Sequence, residues 1–493
     1  MTILKKNITA NFFGNIWQVL IAVLFVPLYI KFMGVEAYGL IGVFTTLQAM
    51  LGLLDMGLSS TLNREMARLS TLPDKAQDMR NMVRTLETIY WALSIFIGLA
   101  VMALSPFLAH QWVNAGQLSP QIIEQSVLIM GFVVSLQMTA GFYSGGLMGL
   151  QNQVLLNAVN VSMNTLRGIG AVLLLWLVSP TILVFFLWQV AISIIHTLLL
   201  AVFLWRRLPA YHKPAVFQRR LLRGIWQFTA GISGITILGA ILSQVDKIIL
   251  SKMLTLEMFG YYTLASVVAM SLGRLTAPMF FGIYPRFTQL VSLNNQLELK
   301  QLYHQSCQVM SVLILPVAII VALFSYEILL LWTHDPIMAE RSHLLVTILV
   351  CGTALNGLMN LPYALQLAFG WTGLSLFKNI ISVILLVPLM IYMTTRYGAT
   401  GAACVWLVIN LCDVFFVIPV MHRRLLRNET WRWYWQDVGL PLAVGLIIAS
   451  LGRAFIGGAM SQFMMCLSII LMSALTFGIT ATMTPAIRTW LSE

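Results

Sequence analysis

Charge is what this sequence has least of: 9% of its 493 residues are Asp, Glu, Lys or Arg, against roughly 25% in a soluble domain. That scarcity excludes an ordinary solvated globular protein. Cysteine is also rare, with five residues (Cys307, Cys351, Cys404, Cys412 and Cys466) and no CxxC pair. Disulfides and a cysteine metal site are therefore not expected, and the five read as small buried hydrophobes in or beside apolar runs. No lysine is directly preceded by glycine, which removes the GK of a phosphate-cradling loop and with it an ATP-driven pump. The longest segments between apolar runs, 63–84, 206–222 and 286–302, are too short for a separate catalytic domain. Lys5 and Lys6 precede the first run with no small-residue cleavage site after it, so the start reads as a retained anchor.

In place of charge there is hydrocarbon. Hydrophobic residues make up 59% of the chain, and apolar runs of about 20 residues, enough to cross a bilayer core, follow one another from end to end. The sequence reads as an all-α polytopic membrane protein of 14 spans. Six fall near 11–33, 38–62, 85–109, 121–149, 152–177 and 180–205. Six more fall near 223–252, 257–285, 303–332, 341–368, 371–394 and 398–421, with a last pair near 436–457 and 461–485. A net charge of +12 would suggest nucleic acid in a soluble protein, but here the basic residues sit at the ends of the runs. With the N-terminus inside, twenty Lys and Arg face the cytoplasm and five (Lys31, Lys252, Arg341, Arg396 and Arg453) face out. That asymmetry places both termini in the cytoplasm. No nucleic-acid partner is expected, and the stretch Trp431–Asp437, WRWYWQD, reads as an interfacial anchor.

The chain repeats itself. Lys31, Glu36, Tyr38 and Gly39 have counterparts 221 positions on, at Lys252, Glu257, Phe259 and Gly260. The correspondence continues in order through Ser105 and Trp112 with Ser325 and Trp332, Asn160 with Asn379, and Trp188 with Trp406. It ends with Arg206, Arg207 and Leu208 against Arg423, Arg424 and Leu425, where the offset has drifted to 217. Each copy holds six spans, an even number, so both insert the same way up. Such parallel repeats are related by a pseudo-two-fold axis along the membrane normal. The expected organisation is a six-helix bundle at 1–222, a second at 223–434, and two additional helices at 435–493. Two bundles rocking about a central cavity would give alternating access.

Three stretches carry a resemblance: 7–43, beginning NITANFFGNIW; 53–68, LLDMGLSSTLNREMAR; and 244–265, QVDKIILSKMLTLEMFGYYTLA. Through them the chain resembles O-antigen or capsular polysaccharide flippases of the Wzx type. These belong to the multidrug/oligosaccharidyl-lipid/polysaccharide exporter superfamily, whose multidrug branch has the same two-bundle fold. The resemblance covers the first twelve spans. It implies transfer of an undecaprenyl-diphosphate-linked oligosaccharide from the cytoplasmic to the periplasmic leaflet of a bacterial inner membrane, and no enzyme activity. It implies no cofactor, with a proton or sodium ion as candidate coupling ions. Beyond membrane lipid and the lipid-linked glycan, a polysaccharide polymerase and a chain-length regulator are candidate partners.

Charges inside spans are costly and mark candidate functional sites. The cations are Arg167, Lys247, Arg274 and Lys378. Arg274, Arg167 and Lys378 are the candidates for the diphosphate or an anionic sugar, because guanidinium and ammonium groups pair with phosphate oxygens. Arg274 precedes Pro278 by four residues, and that proline frees a backbone carbonyl which needs a cavity or a neighbour. Related lipid II flippases place arginines on their first, second and eighth helices. Arg274 matches the eighth by position, while the first two spans here have no central arginine. The bland alternative is that each cation braces a buried acid. Lys378 is close enough to the cytoplasmic edge to snorkel, and Lys247 adjoins Asp246 as a local pair. Asp55, Asp246 and Asp413 are the ion-coupling candidates. Glu124 and Glu327 lie close enough to the outer surface to be solvated.

Two other functions compete. A cation-coupled multidrug exporter should line its cavity with acids, whereas the charges within these spans favour anions. A membrane glycosyltransferase or polysaccharide polymerase usually presents carboxylates on sizeable outer loops, and these loops are short.

Overall fold

Runs of Leu, Ile, Val, Met and Phe about 20 residues long must satisfy their backbone internally when surrounded by hydrocarbon, and the α-helix does this within one segment. In a computed structural model of the chain, residues 3–52, 58–70, 72, 75–209, 213–221, 244–371, 373–455 and 461–485 are described. They are almost wholly helical, and ten of the helical stretches among them are long and apolar enough to cross a membrane. The chain is a multi-pass membrane protein.

Two compact units divide it, Met1–Gly260 and Tyr261–Glu493. The first contains α1 (Ile3–Met33), α2 (Val35–Gly52), α3 (Leu58–Leu69) and α4 (Ala76–Ala103). After a short irregular turn come α5 (Pro120–Gly149), α6 (Gln153–Leu177), α7 (Ile182–Arg207) and α8 (244–253). Helix α5 packs against α3, α4 and α7, and α1 lies along α6. The second unit opens with α9 (Leu256–Ser271), most of which belongs to it, and α10 (Gly273–Ser292). Next are α11 (Gln296–Leu323), α12 (Ser325–Thr333), α13 (Pro336–Leu358) and α14 (Asn360–Ala368). It closes with α15 (Gly373–Cys412), α16 (Ile418–Leu425), α17 (Leu440–Phe455) and α18 (Gln462–Met483). Helix α11 is its spine, packed by α10, α13, α17 and α18.

Local sequence fixes several ends. Ser119 precedes Pro120 and its side chain accepts from the Ile122 N–H, while Asp335 precedes Pro336 and accepts from Ile337 and Met338. Each is an N-cap followed by a proline whose missing N–H would be unpaired there anyway. Helix α15 covers the expected span 371–394 and the first part of the next, 398–421, and breaks where they were separated. Gly398 has φ +58° and ψ −141°, a conformation essentially reserved for glycine.

Candidate functional site

The duplicated motif comes together at one end of the first unit. Met33 ends α1, Gly34 turns the chain, and Glu36 stands in the first turn of α2. The Glu36 carboxylate accepts three backbone N–H groups, from Gly116 at 2.6 Å, Gln117 at 2.8 Å and Leu118 at 3.4 Å. Tyr38 and its repeat partner Phe259 are both buried. Gly39 and Gly260, the repeat-related glycines, face each other. A Cβ on Gly39 would sit 2.1 Å from the Leu256 carbonyl oxygen and 3.2 Å from the Gly260 nitrogen. A Cβ on Gly260 would sit 2.5 Å from the Val35 carbonyl oxygen and 3.3 Å from the Gly39 nitrogen. Only hydrogen at both positions permits this backbone approach, a device common where membrane helices cross closely.

Polar groups flank the crossing. Trp112 donates its indole N–H to Ser251 Oγ at 3.0 Å, and Asn114 donates to the Lys252 carbonyl at 2.9 Å. The Leu256 N–H returns a bond to the Asn114 carbonyl at 2.8 Å. Lys252 Nζ donates to the Gln111 carbonyl and lies 5.7 Å from the Trp112 ring centroid. These bonds carry residues 244–260 into the first unit.

The charges inside the spans divide into paired and unpaired. Lys378 Nζ donates to Asp413 Oδ2 at 2.7 Å, so a ligand candidate and an ion candidate hold each other. Lys247 Nζ lies 3.8 Å from its neighbour Asp246 Oδ1. Asp55 lies outside the described residues. Arg167, on α6, donates one hydrogen bond from its guanidinium among the described residues, from Nη1 to Asn164 Oδ1 at 3.5 Å. Its Nε and Nη2 are shielded from solvent and have no hydrogen-bond partner among the described residues. The Arg167 carbonyl accepts from Trp188 Nε1 at 3.1 Å, which fixes the backbone there.

Arg274 is exposed on α10, and among the described residues it makes neither an ion pair nor a hydrogen bond. Arg274, Pro278, Phe281 and Pro285 share the exposed face of that helix. Pro278 has no N–H for the Arg274 carbonyl, and Pro285 none for that of Phe281. Both relieved carbonyls therefore lie on the face that also carries the arginine.

Three expectations are corrected. Glu327 is not solvated: its side chain is covered and paired with Arg453, joining α12 to α17. Within Trp431–Asp437, Trp431 and Trp435 are exposed as an anchor requires, but Trp433 and Asp437 are buried. The cysteines are free, yet Cys412 and Cys466 lie on exposed faces while Cys307 is buried.

Two buried polar clusters escaped the sequence reading. In the first unit, Glu87 accepts from Tyr143 Oη at 2.6 Å and Trp205 Nε1 at 3.1 Å, with Arg84 Nη1 at 3.1 Å. In the second, His304 stands between Glu429 and Asp437. In both cases one helical turn separates polar residues (Arg84 and Glu87; Lys300 and His304) at the end of an apolar run, and that is the only local signal.

The family model for polysaccharide biosynthesis proteins matches residues 4–291. A putative O-antigen transporter from Shigella flexneri is 20% identical over 421 residues, covering 85% of this chain and 97% of that protein. Among solved structures, the lipid II flippase MurJ in an inward closed conformation aligns with a TM-score of 0.68 at 13% identity, covering 98% of each chain. An inward-facing multidrug resistance MATE family transporter of the MOP superfamily aligns with a TM-score of 0.66 at 13% identity, over 89% of this chain and 95% of that one. The fold is therefore that of this superfamily, and these relatives are transporters and flippases rather than enzymes.

Proposed function

Because the chain belongs to the polysaccharide biosynthesis protein family, we propose that it flips an undecaprenyl-diphosphate-linked oligosaccharide from the cytoplasmic to the periplasmic leaflet of a bacterial inner membrane. The observation that carries this reading is the pair of guanidinium groups, Arg167 and Arg274, that meet no carboxylate among the described residues, in spans that hold few other charges. A cation at membrane depth is held at a cost unless an anion meets it. A diphosphate supplies that anion and accepts bidentate hydrogen bonds. The two relieved carbonyls of α10 support the same reading, since carbonyls without donors are tolerated at this depth only against protein or a water-filled path. An exporter of organic cations would be hindered by these arginines. The two bundles, 1–222 and 223–434, would give alternating access to the two leaflets, with 435–493 as an appended pair. A polysaccharide polymerase and chain-length regulator would act on the delivered product.

The test is a substitution series at Arg274 in a strain lacking the native gene, with surface polysaccharide normalised to inserted protein. Arg274→Glu should reduce export about a hundredfold and Arg274→Ala about tenfold, as expected for loss of a charge-assisted bond of roughly 1.5–3 kcal/mol. Arg274→Lys should retain part of the activity, since charge persists without the planar fork. Inserted amounts should be unchanged, because no acid among the described residues is stranded. Full export from a well-inserted Arg274→Glu variant would remove the diphosphate ligand from the reading. The sidedness has its own check: reporter fusions after Arg84, Leu222 and Arg432 should report cytoplasm, and those after Glu36, Gln117 and Asp335 periplasm. A periplasmic signal after Leu222 would overturn the orientation and the six-plus-six arrangement together.

A further inference from the structure

The buried cluster around His304 has a hydrogen-bond count that closes only with an additional proton. His304 projects from the first part of α11 and is 1% exposed, while Asp437, in the wide turn Trp433–Gly439 that leads into α17, is 0% exposed. His304 Nδ1 lies 2.5 Å from Asp437 Oδ2, and His304 Nε2 lies 3.1 Å from Glu429 Oε2. The remaining carboxylate oxygens have donors: Gln308 Nε2 reaches Asp437 Oδ1 at 2.9 Å, and Lys300 Nζ lies 2.9 Å from Glu429 Oε1. Arg432 Nη1 stands 3.8 Å from Glu429 Oε2 at the exposed rim.

A neutral imidazole has one N–H and one lone pair. Set between two ionised carboxylates, it would turn that lone pair against a carboxylate oxygen at one of its two contacts. Both contacts are hydrogen-bond distances, so each requires its own proton. No ion fits in a contact of 2.5 Å. Burial pushes the Glu429 carboxyl up, but the Lys300 hydrogen bond and the charges of His304 and Lys300 outweigh it and hold it below the usual carboxylate range. The extra proton therefore lies in the contact between His304 and Asp437, where the proposed site has it carried by the imidazole, one cation facing two carboxylates.

We propose that His304, Asp437 and Glu429 form a proton-binding site that fastens the turn leading into α17 to α11 while the proton is held. Glu429 is the entrance, being the most exposed of the three, and the contact between His304 and Asp437 is the seat. The other groups around the seat are accounted for. Tyr303 Oη is bonded to His422 Nε2 at 2.9 Å, and Tyr434 Oη donates to the Val414 carbonyl at 2.8 Å. Cys307 is buried beside them. Loss of the proton leaves two carboxylates facing a neutral ring, and the tie between α11 and the turn before α17 becomes repulsive. The sign follows from linkage: wherever the folded cluster holds a proton that the unfolded chain has released, the folded state binds more protons and stability falls as pH rises.

The experiment uses the purified full-length protein in detergent, and transport is not needed for it. At pH 8 ordinary histidines, with pKa about 6.5, are neutral. In a 15N-histidine spectrum at pH 8, one of the seven histidines should show imidazolium shifts, and His304→Gln should remove that signal. The unfolding midpoint of the wild type should fall by about 5 °C more than that of His304→Gln between pH 7 and pH 9. A wild-type spectrum with no imidazolium at pH 8 overturns the site even if His304→Gln fails to fold. So does a midpoint whose pH dependence matches the variant's. Neither result bears on the substrate, so the flippase reading stands or falls separately.

Discussion

Gly39→Ala is expected to cut export about tenfold while leaving the amount of inserted protein close to wild type. The new methyl would meet the Leu256 carbonyl oxygen at 2.1 Å. Backbone cannot swing aside as a flexible side chain can, so the crossing must open. Overpacking of this kind costs roughly 1–3 kcal/mol, and a bias of that size shifts a two-state population about 5- to 150-fold. In the proposed alternating cycle, which would close and reopen this end, either state held too long would stop turnover. Gly260→Ala should behave alike, since its methyl would meet the Val35 carbonyl at 2.5 Å. The double variant should lose little beyond either single one, because both break the same contact. A cysteine at Leu256, which is 2% exposed, in a chain otherwise free of cysteine, reports the opening. Its labelling by a membrane-impermeant maleimide should rise about tenfold in Gly39→Ala. Unchanged labelling and unchanged export would show that the crossing is static.

At Arg167, stability and export should move in opposite directions. Two of its guanidinium nitrogens are shielded and have no hydrogen-bond partner among the described residues, which is unfavourable in a resting protein. Arg167→Met fills a similar volume without a charge, and should stabilise the fold by on the order of 1–3 kcal/mol, the usual cost of a buried unsatisfied group. Export should fall about tenfold or more, as the proposed charge-assisted contact to a diphosphate would disappear. Thermal unfolding in detergent and surface polysaccharide per inserted protein measure the two separately. Destabilisation by Arg167→Met would reveal a bracing role, and wild-type export would show that the arginine does not meet the substrate.

Much of this fold is legible in sequence because each span is a local event. The apolar run sets the helix, Ser119-Pro120 and Asp335-Pro336 set two starts, and Gly398 separates two spans that otherwise form one helix. The duplicated motif was legible as a repeat, but its role was not. That Gly39 meets Gly260 follows from the crossing of two elements 221 residues apart. The intramembrane charges were legible as exceptions to composition, and their partners were not. Lys378 and Asp413 are separated by 35 residues, and nothing local pairs them. His304 was missed for the same reason: its carboxylates lie 125 and 133 positions along the chain, one of them inside a stretch whose tryptophans suggest only an interface.

The attachment of residues 244–260 to the first unit also sets a timetable for synthesis. The loop at 111–117 leaves the ribosome with Trp112 and Asn114 already displayed, but their partners at Ser251, Lys252 and Leu256 are not yet made. At roughly 5–20 residues per second, the intervening chain takes about 7–30 s to translate. Throughout that interval the spans already inserted wait with an indole N–H, an amide and a crossing surface unfilled. A ribosome that stalls before Gly260 leaves a bundle whose duplicated end has only one of its two copies, and that fragment is the form a quality-control protease would meet first.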